Sequence, residues 1–163
     1  MSVSRILVDG AVLSLLSSVY LIVTMRINPR IWLQDYPQDV QERVPPKTAQ
    51  EKRLSLILGV PFVILVVAVP LISTFSLKHE VDTVSFLALL GNAFGVVFIF
   101  NLVDWLLLDW LMFCTITPGF VVIPGTEGMA GYKEYGYHFR GFLKGTVLSA
   151  VAGAIIAGIV SLF

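Results

Sequence analysis

Four long apolar runs divide this chain, and they constrain its fold more than any other feature of the sequence. A helix needs roughly 20 apolar residues to cross the hydrocarbon core of a bilayer, and it satisfies its own backbone hydrogen bonds there. The runs reach or approach this length at about 6–25, 54–77, 84–114 and 142–163. The sequence therefore predicts an all-α integral membrane protein, a single-domain antiparallel four-helix bundle with structured loops at 26–53 and 115–141.

The composition agrees with a membrane environment. Of the 163 residues, 56% are hydrophobic and 13% are charged, whereas soluble domains average about 25% charged residues. The formal net charge is zero, so no overall basic field indicates nucleic acid, and we expect no such partner. Because Cys114 is the one cysteine in the sequence, an internal disulfide and a cysteine-based zinc cluster are excluded.

Lys and Arg are distributed unevenly among the connections. Arg5 precedes the first run and Lys78 follows the second, while the other nine of the 11 basic residues lie in or next to the two long connections. Cytoplasmic loops carry the excess of Lys and Arg in membrane proteins. We therefore predict that the long connections are cytoplasmic and that both termini lie outside the cytoplasm.

The third apolar run contains polar side chains. Asn101, Asp104 and Asp109 interrupt a sequence that otherwise suits lipid, and such residues face a protein interior, a cavity or the membrane interface. On a straight α-helix Asn101 and Asp104 share a face, whereas Asp109 points about 140° away from Asp104. This predicts that Asp104 faces the bundle and Asp109 faces elsewhere. The alternatives are a structural hydrogen bond for Asp104 and a carboxylate at the interface for Asp109.

The second long connection carries three further candidates. Glu127 lies among glycines, whose amides favour anion binding, although a solvated loop residue is the alternative. Glu134 and His138 are four residues apart, so on a helix they would share a face and bind a divalent metal ion together with another carboxylate. A surface ion pair is the alternative for these two. A divalent metal ion is accordingly the candidate cofactor.

The predicted topology places these groups at the cytoplasmic end of the bundle. We assign Asp104, Glu127 and His138 as candidate catalytic residues and Glu134 with His138 as the candidate metal ligands. Acids, a histidine, cations and tyrosines at a membrane boundary suit the headgroup of a lipid or another amphiphile, and they also suit simple anchoring against anionic lipid. The candidate substrate-binding residues are Asn101, Asp109, Arg26, Arg30, Tyr135 and Arg140.

Small residues recur every four positions along the last apolar run. A stripe of this kind lets another helix approach closely, whether within the chain, in a homo-oligomer or in a partner membrane subunit. The small-residue stripe consists of Gly141, Gly145, Ser149, Gly153, Ala157 and Ser161.

Three classes of function remain open on these patterns. The leading hypothesis is a polar site at the cytoplasmic membrane interface that binds, and in an enzyme would process, a membrane lipid or another amphiphile. The second is a small ion- or proton-coupled transporter, which would need a polar path from Asp104 to Asp9. The third is a non-catalytic membrane subunit or assembly factor, which would dock a partner through an exposed small-residue stripe.

Overall fold

A computed structural model describes residues 3–81 and 83–163 of the chain, and the described residues form helices without any β-strand. Four helices are long and apolar enough to cross a membrane. They span Val3–Ile27, Ala49–Glu80, Phe86–Ile116 and Tyr135–Ser161. The last begins earlier than predicted, because Tyr135 and the residues after it join the helix instead of the preceding connection.

Shorter helical elements fill the connections. We label the five α-helices α1 to α5 and call residues 104–116, which continue α4 without a break, the π segment. In chain order the elements are α1 (Val3–Ile27), a first 3₁₀ turn (Pro29–Asp35), α2 (Gln38–Arg43), α3 (Ala49–Glu80), α4 (Phe86–Val103), the π segment (Asp104–Ile116), a second 3₁₀ turn (Ala130–Lys133) and α5 (Tyr135–Ser161).

Local sequence signals set the start of α3. The Thr48 side chain accepts a hydrogen bond from the Glu51 amide, and the Glu51 side chain accepts one from the Thr48 amide. This capping box satisfies two backbone donors that the first turn of a helix otherwise leaves unpaired. The helix therefore starts before its apolar part.

Polar contacts connect the ends of the long helices. Arg5 at the start of α1 forms an ion pair with Glu80 at the end of α3. The Lys78 amine donates to the Val160 carbonyl near the end of α5 at 2.8 Å. We call this the terminal end of the bundle, and the opposite end, where the two long connections fold, the loop end.

The small-residue stripe of α5 packs against α4 of the same chain. A Cβ atom added at Gly153 would lie 3.0 Å from the Phe94 backbone nitrogen, and one at Gly145 would clash with the Asn101 Oδ1 atom. At Gly141 a Cβ atom would meet nothing within 4 Å. The middle of the stripe therefore allows a close helix approach within the chain.

The two long connections pack together around an apolar core at the loop end. The Tyr36 hydroxyl donates to the Val121 carbonyl at 2.8 Å, which joins the first connection to the second. Desolvation by burial raises the pKa of the Tyr36 phenol above its usual value, so it stays a neutral donor. The core consists of Leu33, Tyr36, Val40, Phe113, Cys114, Val121, Ile123 and Tyr132.

Candidate functional site

The chain beyond Val103 continues in π-helical geometry. The Thr117 amide donates to the Met112 carbonyl at 2.8 Å, which is an i to i−5 hydrogen bond. This spacing winds the helix more loosely than an α-helix, so residues five apart return to nearly the same face. Asp104 and Asp109 accordingly line the same cavity. The prediction that Asp109 points away from Asp104 was wrong, because it assumed a straight α-helix.

This cavity lies at the loop end, between the first 3₁₀ turn, the end of α4, the π segment and the start of α5. We call it the polar cavity. It has a volume of about 410 Å³. The residues that line it are Gln34, Asp35, Asn101, Asp104, Trp105, Asp109, Tyr137, His138, Arg140, Gly141, Phe142 and Lys144. The structure therefore brings together Asn101, Asp104, Asp109, His138 and Arg140 of the sequence-predicted candidates.

A carboxylate and an imidazole pair directly within the polar cavity. The Asp109 Oδ1 atom lies 2.9 Å from the His138 Nδ1 atom. His138 is only 5% exposed, and its Nε2 atom has no hydrogen-bond partner among the described residues. With the proton placed on Nδ1 by this contact, Nε2 has a free lone pair. An oriented imidazole of this kind can act as a general base.

Asn101 and Asp104 differ in their hydrogen bonding to the rest of the protein. The Asn101 amide nitrogen donates to the Phe142 carbonyl and to the Thr146 hydroxyl, both at 3.1 Å. These bonds tie the end of α4 to the start of α5, so the Asn101 amide holds the wall of the cavity together. In contrast, the Asp104 carboxylate receives no hydrogen bond or ion pair from any residue in the described ranges.

Two cationic side chains lie at the solvent-exposed side of the polar cavity. Arg140 and Lys144 line it one helical turn apart on α5, and both side chains are exposed. Neither forms a hydrogen bond or ion pair within residues 3–81 and 83–163. An anionic group at the cavity mouth would therefore find two cations that no described carboxylate already neutralises.

Asp35 joins the site from the first connection and was missed by sequence reasoning. Desolvation raises the pKa of the Asp35 carboxyl and lowers that of the Lys47 amine, while the attraction between the two groups opposes both shifts. The Lys47 amine also donates to the Ile31 carbonyl and, at 2.6 Å, to the Gln34 side chain. These contacts fix the 3₁₀ turn that carries Asp35. Asn28-Pro29 marks the start of this turn in the sequence, but nothing local shows that it folds over the π segment.

Two predicted cationic binding residues lie outside the polar cavity. The Arg26 guanidinium lies 4.7 Å from the centre of the Phe120 ring. Arg30 pairs with Glu51, with the Nε and Oε1 atoms 2.6 Å apart. Both residues therefore support the fold of the loop end, and neither lines the cavity.

Tyr135 and Glu127 are also separate from the polar cavity. The Tyr135 hydroxyl lies 3.0 Å from the Thr115 hydroxyl at the far end of the π segment. Glu127 lines another cleft, of about 600 Å³, in the second connection. Its carboxylate accepts from the Gly125 amide at 3.0 Å, and backbone amides lower its pKa below the usual value. The Glu127 carboxylate thus stabilises its own turn. It does not line the cavity that contains Asp104 and His138.

The predicted metal pair is not assembled as expected. Glu134 lies between the second 3₁₀ turn and α5 and has non-helical dihedral angles, so it does not share a helical face with His138. The Nδ1 atom of His138 is used by Asp109. Across the part of the chain that the structure describes, no group of three or more His, Cys, Asp or Glu side chains could bind a metal ion.

A second cavity adjoins the same carboxylates on the side of α1. This apolar cavity has a volume of about 230 Å³. Asp35, Asp104 and Asp109 line it as well as the polar cavity, so they form a shared wall. Its other lining residues are Leu21, Met25, Trp32, Phe62, Leu108, Met112 and Phe113.

Comparison with known proteins gives no match to a protein-family model, a curated protein or a solved structure.

Proposed function

We propose that this chain is a multi-pass membrane protein whose polar cavity binds the headgroup of an amphiphile and exchanges a proton with it through His138. The four long helices expose large apolar side chains on their outer faces, such as Leu15, Ile64 and Leu148. Soluble monomers rarely expose apolar patches beyond a few hundred Å². This surface supports burial in lipid.

The arrangement of the bundle follows from the contacts between its helices. The start of α1 meets the end of α3, where Arg5 pairs with Glu80. The end of α4 meets the start of α5, where Asn101 bonds to Phe142. These contacts favour consecutive helices that run antiparallel. With the excess of Lys and Arg in the long connections, the loop end is assigned to the cytoplasm and both termini to the other side.

The observation that carries the proposal is the Asp109–His138 pair inside a cavity with two unpaired cations. The His138 Nε2 atom can accept a proton from a hydroxyl or ammonium group of a bound headgroup. Asp109 then stabilises the imidazolium that forms, because its carboxylate already bonds to Nδ1. Arg140 and Lys144 can bind an anionic group of the same molecule through charge-assisted hydrogen bonds.

The structure gives less support to the transporter hypothesis. Gly10 of α1 lies against Ile99 of α4, so Phe100 lies between the level of Asp9 and that of Asp104, and it packs with Val96 and Leu13 in a buried cluster. This apolar cluster interrupts a polar path through the bundle. The polar cavity therefore resembles a site that opens at one end.

The structure also gives less support to the hypothesis that the small-residue stripe docks a partner. The centre of the small-residue stripe contacts α4 of the same chain, at Gly145 and Gly153. These two positions are therefore already in contact within the chain, which favours the headgroup-binding proposal over docking through the centre of the stripe.

Lipid nanodiscs of defined composition provide the test. We would prepare the wild type, His138→Gln and a His79→Gln control with ¹⁵N-labelled histidine, and record the imidazole nitrogens by NMR with and without a lipid that has a hydroxyl or ammonium headgroup. His79 is the matched control, because it is an exposed histidine at the terminal end. The expected result is a lipid-dependent change in the Nε2 chemical shift of one imidazole, present in the wild type and His79→Gln and absent in His138→Gln, because Nε2 gains a hydrogen-bond donor that can transfer its proton. A His138 signal that the lipid leaves unchanged would contradict the proposal.

A further inference from the structure

The arrangement of charges within the polar cavity identifies a class of headgroup, on the assumption that the proposed function is correct. We infer that the cavity binds a zwitterionic headgroup, with its phosphate at Arg140 and Lys144 and its ammonium group at Asp104 and Asp109. The ligand class is therefore an aminophospholipid or another amphiphile with the same two charges.

The exposed side of the cavity suits a phosphate. Arg140 and Lys144 are exposed and one turn apart, and neither is paired with a carboxylate of the described residues. The planar guanidinium binds two phosphate oxygens at once, and the ammonium of Lys144 adds a compact charge. A phosphate that remains near the membrane surface would reach these two groups without entering the bundle.

The inner side of the cavity suits an ammonium group. Asp104 and Asp109 are less exposed than the two cations, and the Asp104 carboxylate has no hydrogen-bond donor among the described residues. A partly buried carboxylate without a partner is costly, and a cationic ligand offsets that cost. An ammonium group brings three N–H donors, which is enough to bond both carboxylates.

A further cavity-lining residue also has an unpaired polar atom. His138 is only 5% exposed, and its Nε2 atom lacks a partner among the described residues. Nδ1 and Nε2 point away from opposite edges of the imidazole ring, and Asp109 bonds to Nδ1. Nε2 can therefore accept a hydrogen bond from another donor of the bound headgroup while Asp104 and Asp109 bind the ammonium group.

Headgroups with a single charge fit this distribution less well. A purely anionic headgroup would leave the Asp104 carboxylate unpaired, and a purely cationic one would leave Arg140 and Lys144 unpaired. A divalent cation is also a poor match, because the described residues contain no metal-binding group of three or more His, Cys, Asp or Glu side chains. A zwitterionic headgroup would pair with the cations at one end of the cavity and with the carboxylates at the other.

A competition between two lipids with the same acyl chains tests the inference. The detergent-purified protein would be mixed with equimolar phosphatidylethanolamine and phosphatidylglycerol, and the retained lipid measured by native mass spectrometry. We expect the wild type to retain phosphatidylethanolamine by about tenfold over phosphatidylglycerol, which corresponds to about 1.4 kcal/mol. Asp104→Asn should abolish this preference without unfolding the protein, because the Asp104 carboxylate has no protein partner to lose. Glu127→Gln, outside the cavity, is the control and should behave like the wild type.

The outcomes separate the inference from the proposed function. Equal retention of the two lipids by the wild type, or an unchanged preference in Asp104→Asn, would overturn the zwitterionic headgroup. The Arg140→Gln/Lys144→Gln double variant should lower retention of both lipids by about tenfold or more. If this double variant retained both lipids as well as the wild type, the cavity would not be a lipid site, and the proposed function would fail as well.

Discussion

At the scale of single residues, the contacts of each side chain decide its role in the polar cavity. From its sequence position, one alternative for Asp109 was a carboxylate at the membrane interface. In the structure its Oδ1 atom holds the Nδ1 atom of the buried His138 at 2.9 Å. Asp104 has no polar partner among the described side chains. The structure therefore gives Asp109 a direct partner that the sequence pattern did not indicate.

The first prediction concerns Asp109→Ala. This change leaves the buried Nδ1–H group of His138 without an acceptor, so the free energy of unfolding should fall by about 1–3 kcal/mol. Thermal unfolding in detergent measures the loss, and ¹⁵N NMR of labelled histidine should show a decrease in the Nδ1–H tautomer. Glu134→Ala is the control, because Glu134 is exposed. A melting temperature equal to that of the wild type would show that the pair is unimportant for stability.

At the scale of elements, α4 and the π segment position the two aspartates of the polar cavity. The apolar run in the sequence predicted one long helix, and the structure contains α4 followed directly by the π segment. Lys133 satisfies the carboxyl end of that segment by donating to the Cys114 carbonyl at 2.6 Å and to the Thr117 hydroxyl at 2.7 Å. A basic side chain at such an end stabilises unpaired carbonyls. Lys133 thus stabilises the carboxyl end of the π segment. The looser winding of this segment places Asp104 and Asp109 in one cavity.

The second prediction concerns the contact between α4 and α5. Gly153→Leu would push a side chain into the Phe94 backbone, which lies 3.0 Å from an added Cβ atom. We expect a fall in unfolding free energy of about 1–3 kcal/mol, typical of overpacking, or a failure to fold.

Gly158→Leu is the matched control in the same helix. A Cβ atom there meets nothing within 4 Å, and leucine is a better helix former than glycine by roughly 0.8 kcal/mol. Its melting temperature should equal or exceed that of the wild type. If the two variants melted together, the close approach at Gly153 would not limit packing.

At the scale of the whole molecule, the polar groups gather at the loop end because three distant segments meet there. Asp35 comes from the first connection, Asp104 from the end of α4 and His138 from α5. The apolar core around Tyr36 and Val121 holds the two connections together at this end. The proposed cytoplasmic location of this end rests on the excess of basic residues in the same connections.

The third prediction concerns topology. In a Cys114→Ala background, His79→Cys should react with a membrane-impermeant maleimide in intact cells. Lys52→Cys and Glu127→Cys should react only after permeabilisation. All three positions are exposed, so accessibility within the protein does not limit labelling. Labelling at position 127 but not at 79 would reverse the orientation.

The sequence by itself determined the four long helices and where most of them begin. An apolar run long enough to span a bilayer is a local property, because each residue adds its own transfer free energy. The capping box of Thr48 and Glu51 is equally local, since its two hydrogen bonds join residues three apart. The stripe that includes Gly153 also predicted a close helix contact, although it could not show which helix would be the partner.

Tertiary structure alone decided which polar residues share the candidate site. The π geometry rotates Asp109 onto the face of Asp104, and helical periodicity in the sequence contains no sign of that winding. The pairing of Asp109 with His138 joins elements separated by the whole second connection. Glu127 lies in that connection yet ends in another cleft. Such positions depend on how the connections pack, because contacts between residues distant in sequence form only when the whole chain has folded.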